Sequence, residues 1–327
     1  MRRREFIILV ASAAGATGHL PLAANSQESR RIYRLGVLHP LPRTAPQFAQ
    51  LFDGLRREGF IEGRNLVIDP RGFDSRSDQY QERAALLINS GAEVLVCGGD
   101  LAIRAAQQVT RVVPIVGVAD DMVASGLVAS LAHPGNNTTG VSILTTDLDG
   151  KRQELLHELV PGARRIAALF DPDSKSATQL QVMVDAARAR GLELLTYPVT
   201  KTEEIVSAID AAHTAGAAAL NAMASATINA NRQVIMDRTA ALRLPAIYQF
   251  PESAEQGGFV AYGPRIEQIY RQLAVPVVAR LFRGERPQDM PVQQPATFEL
   301  VINLKTAKTL GLTIPEALLI RADKVIE

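Results

Sequence analysis

The chain has 327 residues, 47% of them hydrophobic, and 35 Lys and Arg against 34 Asp and Glu give a formal net charge of +1 at pH 7. At roughly 100–200 residues per domain this length predicts two domains, and so apolar a composition excludes a disordered chain. Balanced charge, the absence of Trp and basic runs of only two or three residues exclude a nucleic-acid partner, which would need a basic face or a stacking platform.

Arg2, Arg3 and Arg4 precede an apolar run over 6–16, and small residues lead to Ala24. That order is the one a signal peptide has, here residues 1–24, and Arg3-Arg4-Glu5-Phe6-Ile7 also has the twin-arginine form beside the general export route. The run is too short for a membrane span, which takes about 20 residues. Cleavage near Ala24 would leave no cysteine at the cut to carry a lipid, and the sole cysteine, Cys97, can form no internal disulfide. The expectation is a protein free in the periplasm.

From there strands and helices alternate. Strands are predicted over 34–39, 65–70, 93–97, 114–118 and 139–143, with helices over 45–58, 77–89, 101–108 and a small-residue stretch, 123–132. Gly59 and Gly91 stand where helices stop. A second series follows, with helices over 149–159, 176–190, 202–215 and 229–242 and strands over 165–170, 193–198, 218–223, 246–250 and 258–261. A helix over 265–282, a proline-rich connection (Pro287, Pro291, Pro295), a strand over 299–303 and a helix stopped near Gly311 close the chain. This tail is long enough to cross to the first lobe and return. The predicted fold class is α/β, two doubly wound Rossmann-like lobes joined by a multi-strand hinge, with 32–145 plus about 263–290 in lobe one and 146–262 plus about 291–327 in lobe two.

Enzyme signatures are missing. No Gly-x-Gly-x-x-Gly follows the first strand, and neither a Walker loop nor a Gly-x-Ser-x-Gly elbow occurs. The five histidines share no metal-ligand spacing, and neither Asp69 with Asp74 nor Asp120 with Asp121 has an evident nucleophile beside it. The sequence is therefore read as that of no enzyme, with no metal and no cofactor.

Ligands of such sheets bind beyond the carboxyl ends of the strands, so candidate contacts stand there. In the first lobe these are His39 and Pro40, Gly99 and Asp100, and Asp120 and Asp121; in the second, Pro172, Ser174 and Ser176, Met223 and Ser225, Tyr248 and Gln249, and Tyr262. An aspartate there can accept from a ligand ammonium or hydroxyl, or simply cap the following helix. Ser174 and Ser176 open a helix whose free N–H groups favour an anion, or cap it. The tyrosines can stack on a ligand or pack in the core, where Met223 would also fill space.

Several stretches together resemble one family. They are RLGVLH (34–39), FDGLR (52–56), GFIEGRN (59–65), SGLVASLA (125–132) with PGN (134–136), LPAIY (244–248), and FELVINLKTA (298–307) with GLTIP (311–315). They resemble the substrate-binding proteins of ABC transporters, among them receptors for tryptophan and other aromatic amino acids. The resemblance implies a type I periplasmic-binding-protein fold, capture of a small-molecule ligand (an amino acid or related carboxylate) between the lobes of a monomer, and delivery to an ABC permease and its ATPase. A periplasmic sensing module for a signalling partner is the rival reading. The chain departs from the family pattern at the expected pocket. Asp100 stands where relatives have Thr, and Asp121-Met122 and Ser225-Ala226 stand where relatives have Asp-Pro. The loop over 171–176 is likewise rich in Asp and Ser where relatives carry an Asn-Pro-rich one.

Overall fold

The computed structural model describes residues 31–143, 145–174 and 177–327, so the expected signal peptide and Ser176 lie outside the described residues. Two sheets carry the fold. The first takes β1 (Tyr33–Leu38), β2 (Leu66–Asp69), β3 (Val94–Gly98), β4 (Ile115–Ala119) and β5 (Thr138–Ser142), all parallel, in the order β2-β1-β3-β4-β5. The order turns back between β1 and β3, which opens a crevice at their carboxyl ends. α1 (Pro46–Arg57), α2 (Tyr80–Asn89) and α3 (Asp100–Val109) cover the two faces. With both faces covered, β3, β4 and β5 are buried at every position, which is why they read as unbroken runs of apolar and small residues.

The second sheet begins after α4 (Thr145–Leu159) and takes β6 (Arg165–Phe170), β7 (Glu193–Pro198), β8 (Ala219–Ala222), β9 (Ala246–Tyr248) and β10 (Val260–Gly263). Its helices are α5 (Ala177–Ala189), α6 (Thr202–Thr214), α7 (Ala226–Ala230), α8 (Arg232–Ala241) and α9 (Pro251–Glu255). From β10 the chain enters a continuous helical stretch, α10 (Ile266–Gln268), a π-helical segment Ile269–Ala274 and α11 (Val275–Phe282), which packs on α1 in the core of the first lobe. Pro276, in the first turn of α11, has no N–H to donate, and the wider π segment precedes it. The chain then lies along β5, with the Gln293 N–H bonded to the Gly140 carbonyl at 2.8 Å and the Ser142 N–H to the Gln293 carbonyl at 2.9 Å. It returns as β11 (Glu299–Asn303), antiparallel to β10, followed by α12 (Leu304–Leu310), α13 (Glu316–Arg321) and β12 (Lys324–Ile326), for a sheet order of β12-β11-β10-β9-β8-β6-β7. Three passages between the lobes result: after β5, after β10 and before β11.

The structure corrects the sequence in several places. No helix forms over 123–132. Asp121 accepts from the Val123 and Ala124 N–H groups at 3.1 and 3.0 Å, but Gly126 adopts φ +65° and ends the turn, so β4 and β5 are joined by a loop. Side chains of α3 hold that loop, Gln107 donating to the Leu127 carbonyl at 2.8 Å and Arg104 to the Ser125 carbonyl. The helix expected over 229–242 divides at Asn231 into α7 and α8. The strand expected over 258–261 runs two residues later, as β10.

The tail is fastened to the second lobe by Asn303. Its side chain accepts from the Thr306 N–H at 3.1 Å, capping α12, and donates to the Ala254 carbonyl at 3.0 Å. Asn303→Ala is expected to cost about 1–2 kcal/mol of stability, read as a lower urea midpoint at unchanged slope. An unmoved midpoint would show that the cap contributes nothing.

Candidate functional site

The carboxyl ends of both sheets face one another across a cavity. β1 delivers His39, β3 delivers Gly98, Gly99 and Asp100, and β4 delivers Asp120; opposite them stand Ser174, Ser225 and Gln249, with Ile143, Ile266, Phe250 and Tyr270 as an apolar wall. The room in it for a water-sized sphere is about 50 Å³, so a ligand of the usual small-molecule size needs the lobes to part. A wider recess continues from Gly99 and Asp100 past Asp171 towards Arg76 and Lys201.

The polar groups are set by local structure. The Leu41 N–H donates to His39 Nδ1 at 3.1 Å, which leaves the ring proton on Nε2, and burial holds the imidazole down at about 3, so it is neutral at physiological pH. Gly98 admits this ring, since a Cβ there would lie 2.3 Å from Nε2. Asp100, the first residue of α3, is only 3% exposed, and its Oδ2 has no hydrogen-bond partner. Burial pushes its carboxyl up to about 6, against the Ser125 hydroxyl, with Asp120 and Asp171 adding to the rise and Arg104 opposing it. Asp171 is also raised by burial, while the Thr227 and Ser225 hydroxyls and the Asp173 N–H, at 3.0 Å, hold it down. Ser225 caps α7, accepting from the Ile228 N–H at 3.0 Å, and its carbonyl accepts from the Gln249 amide at 3.3 Å.

Of the residues singled out from the sequence, His39, Gly99, Asp100, Asp120, Ser174, Ser225 and Gln249 border this cavity, and Pro40 borders the wider recess. Five others do not. Asp121 turns away to cap the loop after β4. Pro172 is exposed in the turn after β6 and borders neither space. Met223 is buried in the second lobe's core. Tyr248 points into the opposite face of the sheet, its hydroxyl 3.3 Å from Thr239. Tyr262 packs on the core of the second lobe, and its carbonyl accepts from Arg152 at 3.0 Å. Sequence reasoning passed over Gln47, Asn229 and Tyr270, which line the cavity together with Phe250, a residue that is also part of the first lobe's core. Gln47 was legible as a polar residue beside Phe48 on the buried face of α1. Tyr270 was not, because it arrives from the returning helix.

Cys97 is fully buried, which pushes its thiol above the ordinary range and leaves it unreactive. Among the described residues no group of three or more His, Cys, Asp or Glu is disposed to hold a metal ion, and no helix is long and apolar enough to cross a membrane.

Glu252 sits in α9, the helix before β10. Burial pushes its carboxyl up to about 7, although the Glu267 N–H donates to Oε1 at 3.4 Å and Arg265 is near. A carboxyl raised on folding retains its proton in the folded state, so the folded protein is favoured at low pH and loses stability as pH rises from about 4.5 through about 7. Glu252→Gln is expected to raise Tm at pH 8 and leave it unchanged at pH 4.5. Equal Tm for both proteins at pH 8 would refute the burial argument.

A family described as ABC transporter substrate binding protein matches residues 45–326. A tyrosine-binding protein of Clostridioides difficile (strain R20291) is 25% identical over 265 residues, covering 79% of this chain and 74% of its own length. Two solved structures are similar throughout. One is a conserved domain protein from Vibrio cholerae O1 biovar El Tor strain N16961, with TM-score 0.80, 26% identity and coverage of 90% of this chain and 99% of that one. The other is an ABC domain from Streptococcus pneumonia in complex with L-Trp, with TM-score 0.79, 25% identity and coverage of 90% and 100%.

Proposed function

Since the chain belongs to the ABC transporter substrate-binding protein family, and is by that membership a ligand receptor and not an enzyme, we propose that it serves an ABC uptake system in the periplasm. It captures a small organic ligand with an amino group, an amino acid or a compound related to one, and presents the closed lobes to a permease and its ATPase. The lobes that close are residues 32–145 with about 263–290, and 146–262 with about 291–327. The observation that carries this reading is the cavity between the two sheets, lined by polar groups of both and by an apolar wall that includes Ile143 and Ile266 from two of the passages between lobes. Relatives whose names record tyrosine or L-Trp binding support the amino-acid class.

A ligand that prefers the closed lobes shifts the population towards them in proportion to that preference. The test is mass spectrometry of small molecules released on denaturing the mature chain, with thermal-shift screening of amino acids and amines. A ligand that comes off unmodified and raises Tm is expected, because binding to the native state stabilises it. Chemical conversion of the ligand, or a screen with no shift at all, would overturn the receptor reading. Mass analysis of the exported protein should find a chain beginning at Asn25.

A further inference from the structure

We propose that the cavity selects an organic cation, an amine of net positive charge with an apolar body, whose ammonium sits on the Asp100 carboxylate. The inference rests on the reading of this cavity as the ligand site.

Asp100 carries the argument. It is 97% buried by its 3% exposure, it borders the cavity, and its Oδ2 has no hydrogen-bond partner. A buried carboxylate oxygen without a donor is costly, and an ammonium supplies up to three donors together with the opposite charge. Within the cavity the charged groups share one sign, while Arg76 and Lys201 stand farther out in the adjoining recess. Asp120 borders the same cavity and Asp171 the adjoining recess, and both act on Asp100 as like charges. Among the described lining residues none is Lys or Arg, and His39 is held neutral by burial. Arg104, on α3, acts on Asp100 as an opposite charge, and its guanidinium is already bonded to the Ser125 carbonyl.

Among the described lining residues a ligand carboxylate meets no cation, only neutral donors. The Gln249 amide is engaged with the Ser225 carbonyl, and the Ser225 hydroxyl with Asp171. An α-amino acid would bring its carboxylate beside acids, whereas the corresponding amine brings only the charge that Asp100 lacks. The apolar wall of Ile143, Phe250, Ile266 and Tyr270 suits the body of such an amine.

Calorimetry on the mature chain would compare tryptamine with L-tryptophan and tyramine with L-tyrosine, each pair differing by the carboxylate alone. Arginine, lysine and putrescine extend the cationic set. The amine of at least one pair is expected to bind at least tenfold more tightly than its amino acid at pH 7.5. Its affinity should fall by about tenfold per pH unit well below 6, as Asp100 takes up a proton. Asp100→Asn should weaken the amine at least tenfold and leave Tm without ligand unchanged or higher. If amino acids bind as tightly as their amines, or if only zwitterions and anions shift Tm, the cation inference fails and the receptor reading stands. If no compound of any charge binds, both fail.

Discussion

Arg152→Met is expected to destabilise the protein by about 3–5 kcal/mol, the cost of leaving one partner of a buried ion pair uncompensated. Arg152 and Asp149 stand one turn apart on α4, both completely buried, and the guanidinium donates to the carboxylate. The same guanidinium donates to the Tyr262 carbonyl at 3.0 Å, and the Asp149 carbonyl accepts from the Asn221 amide at 3.3 Å. The first helix of the second lobe is thereby tied to β8 and to the last strand before the chain leaves. Urea unfolding of the single variant should show the loss, and the double variant Asp149→Leu, Arg152→Met should recover much of it, since two apolar residues leave no charge unpaired. A single variant within about 1 kcal/mol of the parent would mean that the pair is screened by water that the burial argues against.

Gly99→Val is expected to lower ligand affinity at least tenfold. Gly99 holds φ +86°, and a Cβ there would stand 2.6 Å from the Cβ of Ala226 in the other lobe. A side chain must either push the lobes apart or relax the backbone, and at φ +86°, ψ 160° the backbone itself adds about 1–3 kcal/mol of strain. Separating the two effects is direct. Unfolding without ligand reports the strain, and the added loss in binding reports the obstruction. Gly99→Ala combined with Ala226→Gly should regain affinity without regaining stability. Full affinity in Gly99→Val would show that closure does not bring these two positions together.

The fold class was legible because this chain marks its elements clearly. Parallel strands buried on both faces appear as short unbroken runs, and glycines at positive φ, such as Gly59 and Gly91, close the helices before them. The stretch over 123–132 misled because small residues satisfy a helical reading by propensity, and nothing in that pattern reveals the left-handed turn at Gly126. α7, α9, α13 and β12 are three to six residues long, too short to display a period. The site was legible as strand ends and no further. Consecutive side chains of a strand face opposite ways, so Gln249 borders the cavity while its neighbour Tyr248 enters the core, and proximity in sequence could not separate them. Tyr270 and Ile266 reach the cavity from a helix that belongs to the other end of the chain, a contact of long sequence separation that no local pattern encodes.

The passage of the chain between lobes has a consequence in time as well as in space. The face of α1 that bears Phe48, Leu51 and Leu55 is covered by Tyr270, Val275, Val278 and Phe282, which are synthesised more than 200 positions later. The second sheet in turn waits for β11 and β12 at its edge. Neither lobe can complete itself from the contiguous part of the chain, so a polypeptide emerging from the ribosome holds two unfinished cores until nearly its last residue is made. Completion of either core therefore waits for residues 266–326, so the two lobes close their cores together rather than in succession.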